Sequence, residues 1–358
     1  MFLSANYVLE NFDELTMVLY KNSTLTSLDL SSHRLEKVGK KLADALCKNS
    51  TMTSLKLRNN KLGSEGKTLA EVLCKNSALT SLDLWFNDLG SEGGKALADT
   101  LCRNSTLKVL NLGCNQLGSE EGKALANALC KNSTLASLNL ENNNLGSEGG
   151  KALANTLCKN STLTSLNFNR NELELSGGYA LVEALCKNTT LKNLDILDNK
   201  LESLEAIVDA LCKNTVLTHL SLQELGSKEV KILANALCNI TTLTYLEFWK
   251  CNLGLEGGKA LADALCKNST LKDLHLYANN LGSEGEKILA EILCKHSTLI
   301  SLYLYDNNLE LKGVKILADA LCKNSTLTFL DLKENNLGLE GVKILADALC
   351  KNSTALTF

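Results

Sequence analysis

The chain alternates between two hydrophobic rhythms. In LTSLDLWFN, from Leu79 to Asn87, Leu82 and Leu84 alternate with Ser81, Asp83 and Trp85, the period of a half-buried strand. In SEGGKALADTLC, from Ser91 to Cys102, Leu97 and Leu101 stand four apart, as do Ala98 and Cys102, while Lys95 and Asp99 fall on another face. That spacing predicts a short amphipathic helix. Ser91 is placed to cap its N-terminus, and Glu92 to sit at the positive end of its dipole. The KNST stretch after each helix reads as a stop, with Asn in the left-handed conformation.

The strand–helix unit recurs along almost the whole chain. The second leucine of each LxxL falls at Leu28, Leu55, Leu82, Leu110, Leu138, Leu166, Leu194, Leu220, Leu246, Leu274, Leu302 and Leu330, at steps of 26 to 28 residues. A period in this range with LxxLxLxxNxL is a leucine-rich repeat. About twelve units predict one α/β solenoid rather than several domains. Residues 7–24 match only the helical half of a unit, so residues 1–24 read as a helical cap and residues 25–358 as the solenoid. Strands stack at about 4.8 Å and helices at about 8–10 Å. The mismatch turns each repeat by roughly 20–25°, which predicts a right-handed horseshoe with parallel strands on the concave face and helices on the convex face. The Asn after each strand (Asn60, Asn87, Asn115, Asn143, Asn171, Asn199, Asn279, Asn307, Asn335) is expected inside the turn, satisfying backbone groups of neighbouring repeats.

The long unit with a full helix, LGSEGGKALADALCKNSTLTSL, resembles the ribonuclease-inhibitor-like class of leucine-rich repeats, which includes the repeat domains of NOD-like receptors and the Ran GTPase-activating proteins. The resemblance spans about residues 15–358 and rests on scaffold positions. It implies a horseshoe that binds other proteins, mainly on its concave face. His33 and Cys251 depart from the Asn row. The eighth repeat, LTHLSLQELGSKEVKILANALC, lacks two residues where its Asn belongs, and the seventh lacks two at the start of its helix. Irregular curvature is therefore expected near residues 195–230. The last residues, STALTF, begin a thirteenth strand without a polar cap, which reads as a truncated reading frame or a frayed end, and otherwise as an end covered by a partner or a second copy.

Composition narrows the function. With 37 Lys+Arg against 40 Asp+Glu and a net charge of −3, the chain lacks the basic excess that nucleic-acid binding needs. No stretch of 18 apolar residues is present, so no membrane span is expected. The N-terminus lacks the basic region of a signal peptide. Twelve of the 14 cysteines (all but Cys114 and Cys251) occupy one repeat position. Neighbouring copies, about 8–10 Å apart, lie beyond disulfide reach. They read as buried free thiols in a reducing, cytoplasmic setting, vulnerable to oxidation.

No chemistry stands out. The sequons at Asn22, Asn49, Asn104, Asn132, Asn160, Asn188, Asn268, Asn324 and Asn352 are a turn solution copied with the unit, not glycosylation sites. GSEGKT, Gly63 to Thr68, lacks the first glycine of a phosphate loop. His219 and His275 lie two repeats apart, about 10 Å by strand spacing, too far to share a metal. No GxSxG, HExxH or Cys/His pair occurs. No cofactor, metal or catalytic residue is expected.

Individuality resides where the copies differ. The strand positions facing the hollow are small and polar at first, apart from the pair Trp85 and Phe86. The last four strands present Tyr245, Trp249, Tyr277, Tyr303, Tyr305 and Phe329, with Glu247, Asp273, His275, Asp306 and Asp331. Those six come from only sixteen aromatics in the chain. Aromatics on a rigid face are the material of interface hot spots; the plainer reading is that they only pack on one another across strands. The expected function is a non-enzymatic protein-interaction module, with a partner of basic character bound at these residues. The resemblance also allows a GTPase activator like the Ran GTPase-activating proteins, although the acidic tail of that family is lacking here.

Overall fold

The computed structural model describes residues 12–35, 39–199, 204–351 and 357. They divide into two compact units, one over Met1–Leu191 and Asp198–Glu202, the other over Lys192–Leu197 and Ser203–Phe358. In the first unit the order is α1 (Phe12–Lys21), β1 (Ser27–Asp29), α2 (Gly39–Lys48), β2 (Ser54–Lys56), α3 (Glu65–Leu73), β3 (Ser81–Asp83), α4 (Gly90–Leu101), β4 (Val109–Asn111), α5 (Gly118–Leu129), β5 (Ser137–Asn139), α6 (Gly146–Leu157), β6 (Ser165–Asn167) and α7 (Glu174–Lys187). The second unit holds β7 (Asn193–Asp195), α8 (Leu204–Lys213), β8 (His219–Gln223), α9 (Ser227–Leu237), β9 (Tyr245–Trp249), α10 (Gly254–Leu265), β10 (Asp273–Tyr277), α11 (Gly282–Lys295), β11 (Ser301–Tyr303), α12 (Leu311–Lys323), β12 (Phe329–Asp331) and α13 (Gly338–Lys351).

Each unit is an α/β solenoid in which parallel strands pair in chain order. The anchor leucines stand in one register row: Leu28, Leu55, Leu82, Leu110, Leu138 and Leu166 in the first unit, and Leu194, Leu220, Leu246, Leu274, Leu302 and Leu330 in the second. The two rhythms explain the core between the layers. Leu82 and Leu84 are buried from β3, and Leu97, Ala98 and Leu101 from α4. Each fully buried leucine contributes roughly 2 kcal/mol. Gly94 sets the helix spacing: a Cβ there would stand 2.7 Å from Cγ of Glu121 in the next repeat.

Three local expectations are corrected. Ser91 does not cap α4. The helix starts at Gly90, whose φ of +55° makes the entry turn, and the Ser91 hydroxyl donates to Glu121 Oε1 at 2.6 Å. The repeat cysteines are half-buried or exposed rather than buried, Cys102, Cys130 and Cys186 among them. Four residues advance a helix by 400°, so Cys102 lies about 40° past Ala98, on the rim of the apolar stripe. Its counterpart Cys74 places Sγ 3.6 Å from Thr100 Oγ1 of the next helix. Cys251, outside that row, is buried, and burial pushes its thiol up to about 12.

The third correction concerns the Asn of the KNST stretch. It is extended, not left-handed: Asn188 has φ −74° and ψ 133°. Its side chain ties consecutive repeats together. Asn132 donates to Leu101 O at 2.8 Å and accepts from the amides of Thr134 and Leu135; Asn104, Asn160 and Asn268 repeat the pattern. These sequon amides are buried and hydrogen-bonded. Asn352 lies outside the described residues, as do residues 1–11 of the expected cap, residues 200–203 of the shortened seventh repeat and residues 352–356 and 358 of the last segment. Thr357 pairs with Phe329 in a parallel bridge.

His296 replaces one of these asparagines. Its Nδ1 accepts from the amides of Thr298 and Leu299, at 3.2 and 3.0 Å. An accepting Nδ1 puts the proton on Nε2, which is buried with no partner. Burial lowers the His296 pKa below its ordinary 6.5. The unfolded chain therefore binds the proton more readily, and this group's stability, full above pH 6.5, falls as the pH drops below it. His296→Asn restores the donor and should raise stability by about 1 kcal/mol at pH 7. The gain should widen toward pH 5 in urea unfolding curves; an unchanged or lowered midpoint contradicts it.

Candidate protein-interaction surface

The asparagines after the strands hold the frame on which the surface sits. Asn143 donates to Leu112 O at 2.9 Å and Leu140 O at 3.0 Å, and its Oδ1 accepts from Asn115 N at 2.9 Å. Asn60, Asn87, Asn115 and Asn171 repeat this in the first unit; Asn279, Asn307 and Asn335 do so in the second. Cys251 keeps the backbone bond, its own N donating to Asn279 Oδ1, and its thiol faces Trp249 O at 3.5 Å. His33 imitates the asparagine, its Nδ1 meeting Ser31 O at 2.7 Å.

With the leucines turned inward, the alternate strand positions of the second unit build a continuous aromatic surface. One run of rings crosses the strands at their first and third positions. His219 stacks on Tyr245 (centroids 3.5 Å, planes 9° apart), Tyr245 meets His275 at 4.4 Å, His275 stacks on Tyr303 at 3.8 Å, and Tyr303 meets Phe329 at 4.8 Å. A second run follows the strand exits, where Trp249 and Tyr305 each meet Tyr277 at 6.3 Å, edge to face. Tyr277 also crosses His275 and Tyr303, so the runs join. The rings pack on one another and still face outward: Trp249 and Tyr305 are 36% and 41% exposed, and Tyr245, Tyr277, Tyr303 and Phe329 are half-buried.

A polar chain lies beneath the rings. Glu247 and His275 are only 9% and 8% exposed. Glu247 Oε2 accepts from the hydroxyls of Ser221 and Tyr245, both at 3.0 Å. The Ser221 oxygen also lies 3.0 Å from Asp195 Oδ1. One serine proton cannot serve two carboxylates, and a proton on Glu247 relieves the conflict. Accordingly, burial first, with Asp195 adding repulsion, raises the Glu247 pKa. His275 Nδ1 meets Tyr277 Oη at 2.7 Å and Tyr245 Oη at 3.3 Å. Burial, then the neighbouring His219, pulls His275 down to about 4, so it stays neutral at pH 7. Burial also drives the phenols of Tyr245 and Tyr277 far above their usual range. This arrangement orients the rings.

The remaining candidates flank this surface. Asp273 opens β10, and its charge, with that of Asp331, adds to burial in raising Tyr303. Asp331 faces Lys333 at 4.0 Å. Asp306 lies in the turn after Tyr305, at φ +53°. Trp85 and Phe86 make a separate pair in the first unit, centroids 5.4 Å apart, beyond the end of β3. Trp85 rests on Gly113, where a Cβ would stand 2.6 Å from the indole Cδ1. Apart from the exposed Val109 on β4, the rest of that unit's strand face is polar, with Arg58 bonded to Asp83 and Arg170 between Glu141 and Asp198. His219 and Ser221 also belong to this surface, although neither stands out in the strand pattern. Their signal was register, because His219 and Ser221 fall opposite Tyr245 and Glu247.

Comparison with known proteins bears on the frame. A family model described as Leucine Rich repeat matches residues 21–39, 48–66, 75–98, 103–126, 131–154, 159–182, 239–262 and 323–346, just over half of the chain. No curated protein sequence matches. Among solved structures, a chain of the yeast Rad7–Elc1 complex superposes with a TM-score of 0.58 at 19% identity, covering 94% of this chain and 85% of that one. That is a likeness of fold. The tropomodulin C-terminal domain of Caenorhabditis elegans aligns over 41% of this chain and 92% of that one, with a TM-score of 0.36 and 16% identity. Among the described residues, no helix is long and apolar enough to cross a membrane.

Proposed function

The chain belongs to the leucine-rich repeat family, and from that premise we propose that it is a non-enzymatic protein-interaction module whose partner binds the strand face of the second unit. The observation that carries this reading is the joined run of rings from Tyr245 to Phe329, with Trp249 and Tyr305 standing exposed on a pre-formed surface. Rigid aromatics lose little entropy on binding and bury much apolar area. The helix of 9 to 14 residues in each repeat from α2 onward fits the ribonuclease-inhibitor-like class. Asp195, Glu224, Asp273, Asp306, Asp331 and Glu334 outnumber Lys250 and Lys333 around the rings, which favours a partner with a basic contact surface. The setting we propose is the cytoplasm, where fourteen free thiols stay reduced. No observation in the described residues favours a GTPase activator.

The test is comparative capture from lysate. Trp249→Ala with Tyr277→Ala and Tyr305→Ala should weaken capture at least about 100-fold, given about 1–3 kcal/mol per central aromatic. Lys259→Ala with Asp263→Ala, on the helix layer, should leave the captured set unchanged. A set that survives the aromatic triple and vanishes with the helix-layer pair refutes the assignment.

A further inference from the structure

We propose that Trp249, Tyr277 and Tyr305 form an aromatic cage for the cationic head of a lysine or arginine side chain of the bound protein, an assignment that rests on the surface reading above and names the chemistry of its contact. The three rings occupy one row at the strand exits. Trp249 pairs with Tyr277 across β9 and β10, and the backbone bond from Ala278 N to Tyr305 O brings in the next repeat. Trp249 and Tyr305 cross Tyr277 at 71° and 78°, and both are more exposed than Tyr277, which lies half-buried between them. The hollow thus has Tyr277 as its floor and the outer rings as walls. Two strand steps set the walls about 9.6 Å apart. A cation midway lies about 5 Å from each, within the ~6 Å over which a ring face attracts it. The bond from Tyr277 Oη to His275 Nδ1 at 2.7 Å fixes the floor.

Two further observations point the same way. The residue after Tyr277 is Ala278, at φ +53°. The same left-handed turn position holds Asn59, Arg170, Glu224, Lys250 and Asp306 in other repeats. Alanine is sterically disfavoured in that conformation, and its short side chain leaves the mouth above Tyr277 open. In the same turn row Glu224 and Asp306 carry negative charge and Lys250 one positive charge, so the mouth keeps a net negative balance that draws a cation. Among the described residues, no cation of the chain itself lies over these three rings; the one cation found over a ring is Lys48, above Tyr20.

The test needs no natural partner. Trp85→Phe in the intact chain leaves Trp249 as the only tryptophan, and its fluorescence is titrated with blocked Ala-Lys-Ala, its arginine counterpart and its norleucine counterpart. A cationic peptide should saturate the signal at about tenfold lower concentration than the neutral one, and Tyr305→Ala, which removes an exposed wall without touching the core, should erase that difference. Equal responses to the cationic and neutral peptides, or a cationic preference that survives Tyr305→Ala, overturn the cage. If the peptides show no preference while the aromatic triple still loses its partner, the cage falls and the surface stands. If the preference is present while capture is unaffected, the surface reading falls instead.

Discussion

Replacing Asn143 with leucine should lower the stability of the first unit by about 3–5 kcal/mol, although the two side chains are nearly equal in size. Asn143 is fully buried. It supplies hydrogen bonds to the carbonyls of Leu112 and Leu140 and accepts one from the amide of Asn115. Leucine leaves the buried amide of Asn115 unpaired, at roughly 1–3 kcal/mol. It also removes one of the two side-chain hydrogen bonds that each carbonyl accepts, at roughly 1 kcal/mol apiece, because Leu112 O keeps Asn115 Nδ2 and Leu140 O keeps Asn171 Nδ2. The second unit supplies the control. Cys251 stands at the equivalent position, where its thiol faces a backbone oxygen and acts as a weak donor. Asn143→Cys should therefore cost clearly less than Asn143→Leu. Urea unfolding followed through Trp85 measures both, and equal losses would show that packing, not hydrogen bonding, fixes this position.

Phe248→Ala should cost the second unit about 3–5 kcal/mol. Phe248 is fully buried on β9, in register with Leu222 and Leu276, and lies between Glu247 and Trp249 in sequence. Truncation opens a cavity directly beneath the aromatic surface. Most repeats carry leucine at this place, Leu84 and Leu112 among them, so Phe248→Leu should cost less than about 1.5 kcal/mol. Trp249 emission in the Trp85→Phe background reports both. A midpoint for Phe248→Ala within experimental error of Phe248→Leu would contradict the packing described here.

Period and register were legible in the sequence. The anchor leucines chosen from LxxL alone are the residues that pair strand to strand, and the asparagines after the strands bond as their position demanded. Four-residue spacing misled at the cysteines, because the 40° drift between Ala98 and Cys102 moves the thiol from the core stripe to its edge. The KNST asparagines were misread because a stop signal and an inter-repeat bond use the same residue, and only the carbonyl of the preceding repeat distinguishes them. In the surface, the aromatic positions could be read from the strand pattern. The burial of Glu247 and His275 beneath the tyrosines could not, because it depends on how rings of neighbouring strands lean. His219 and Ser221 look ordinary until register places them against Tyr245 and Glu247.

The central claim is that the partner contacts the strand face of the second unit, not its helix layer. Site-specific photo-crosslinking tests it most directly. A benzophenone amino acid is placed in the intact chain either at Tyr305 or at Asp263, which is exposed on α10, and adducts formed in lysate are identified by mass spectrometry. The account predicts a discrete adduct from position 305 and none of that mass from position 263. The same adduct from position 263 alone, with nothing from 305, would contradict it.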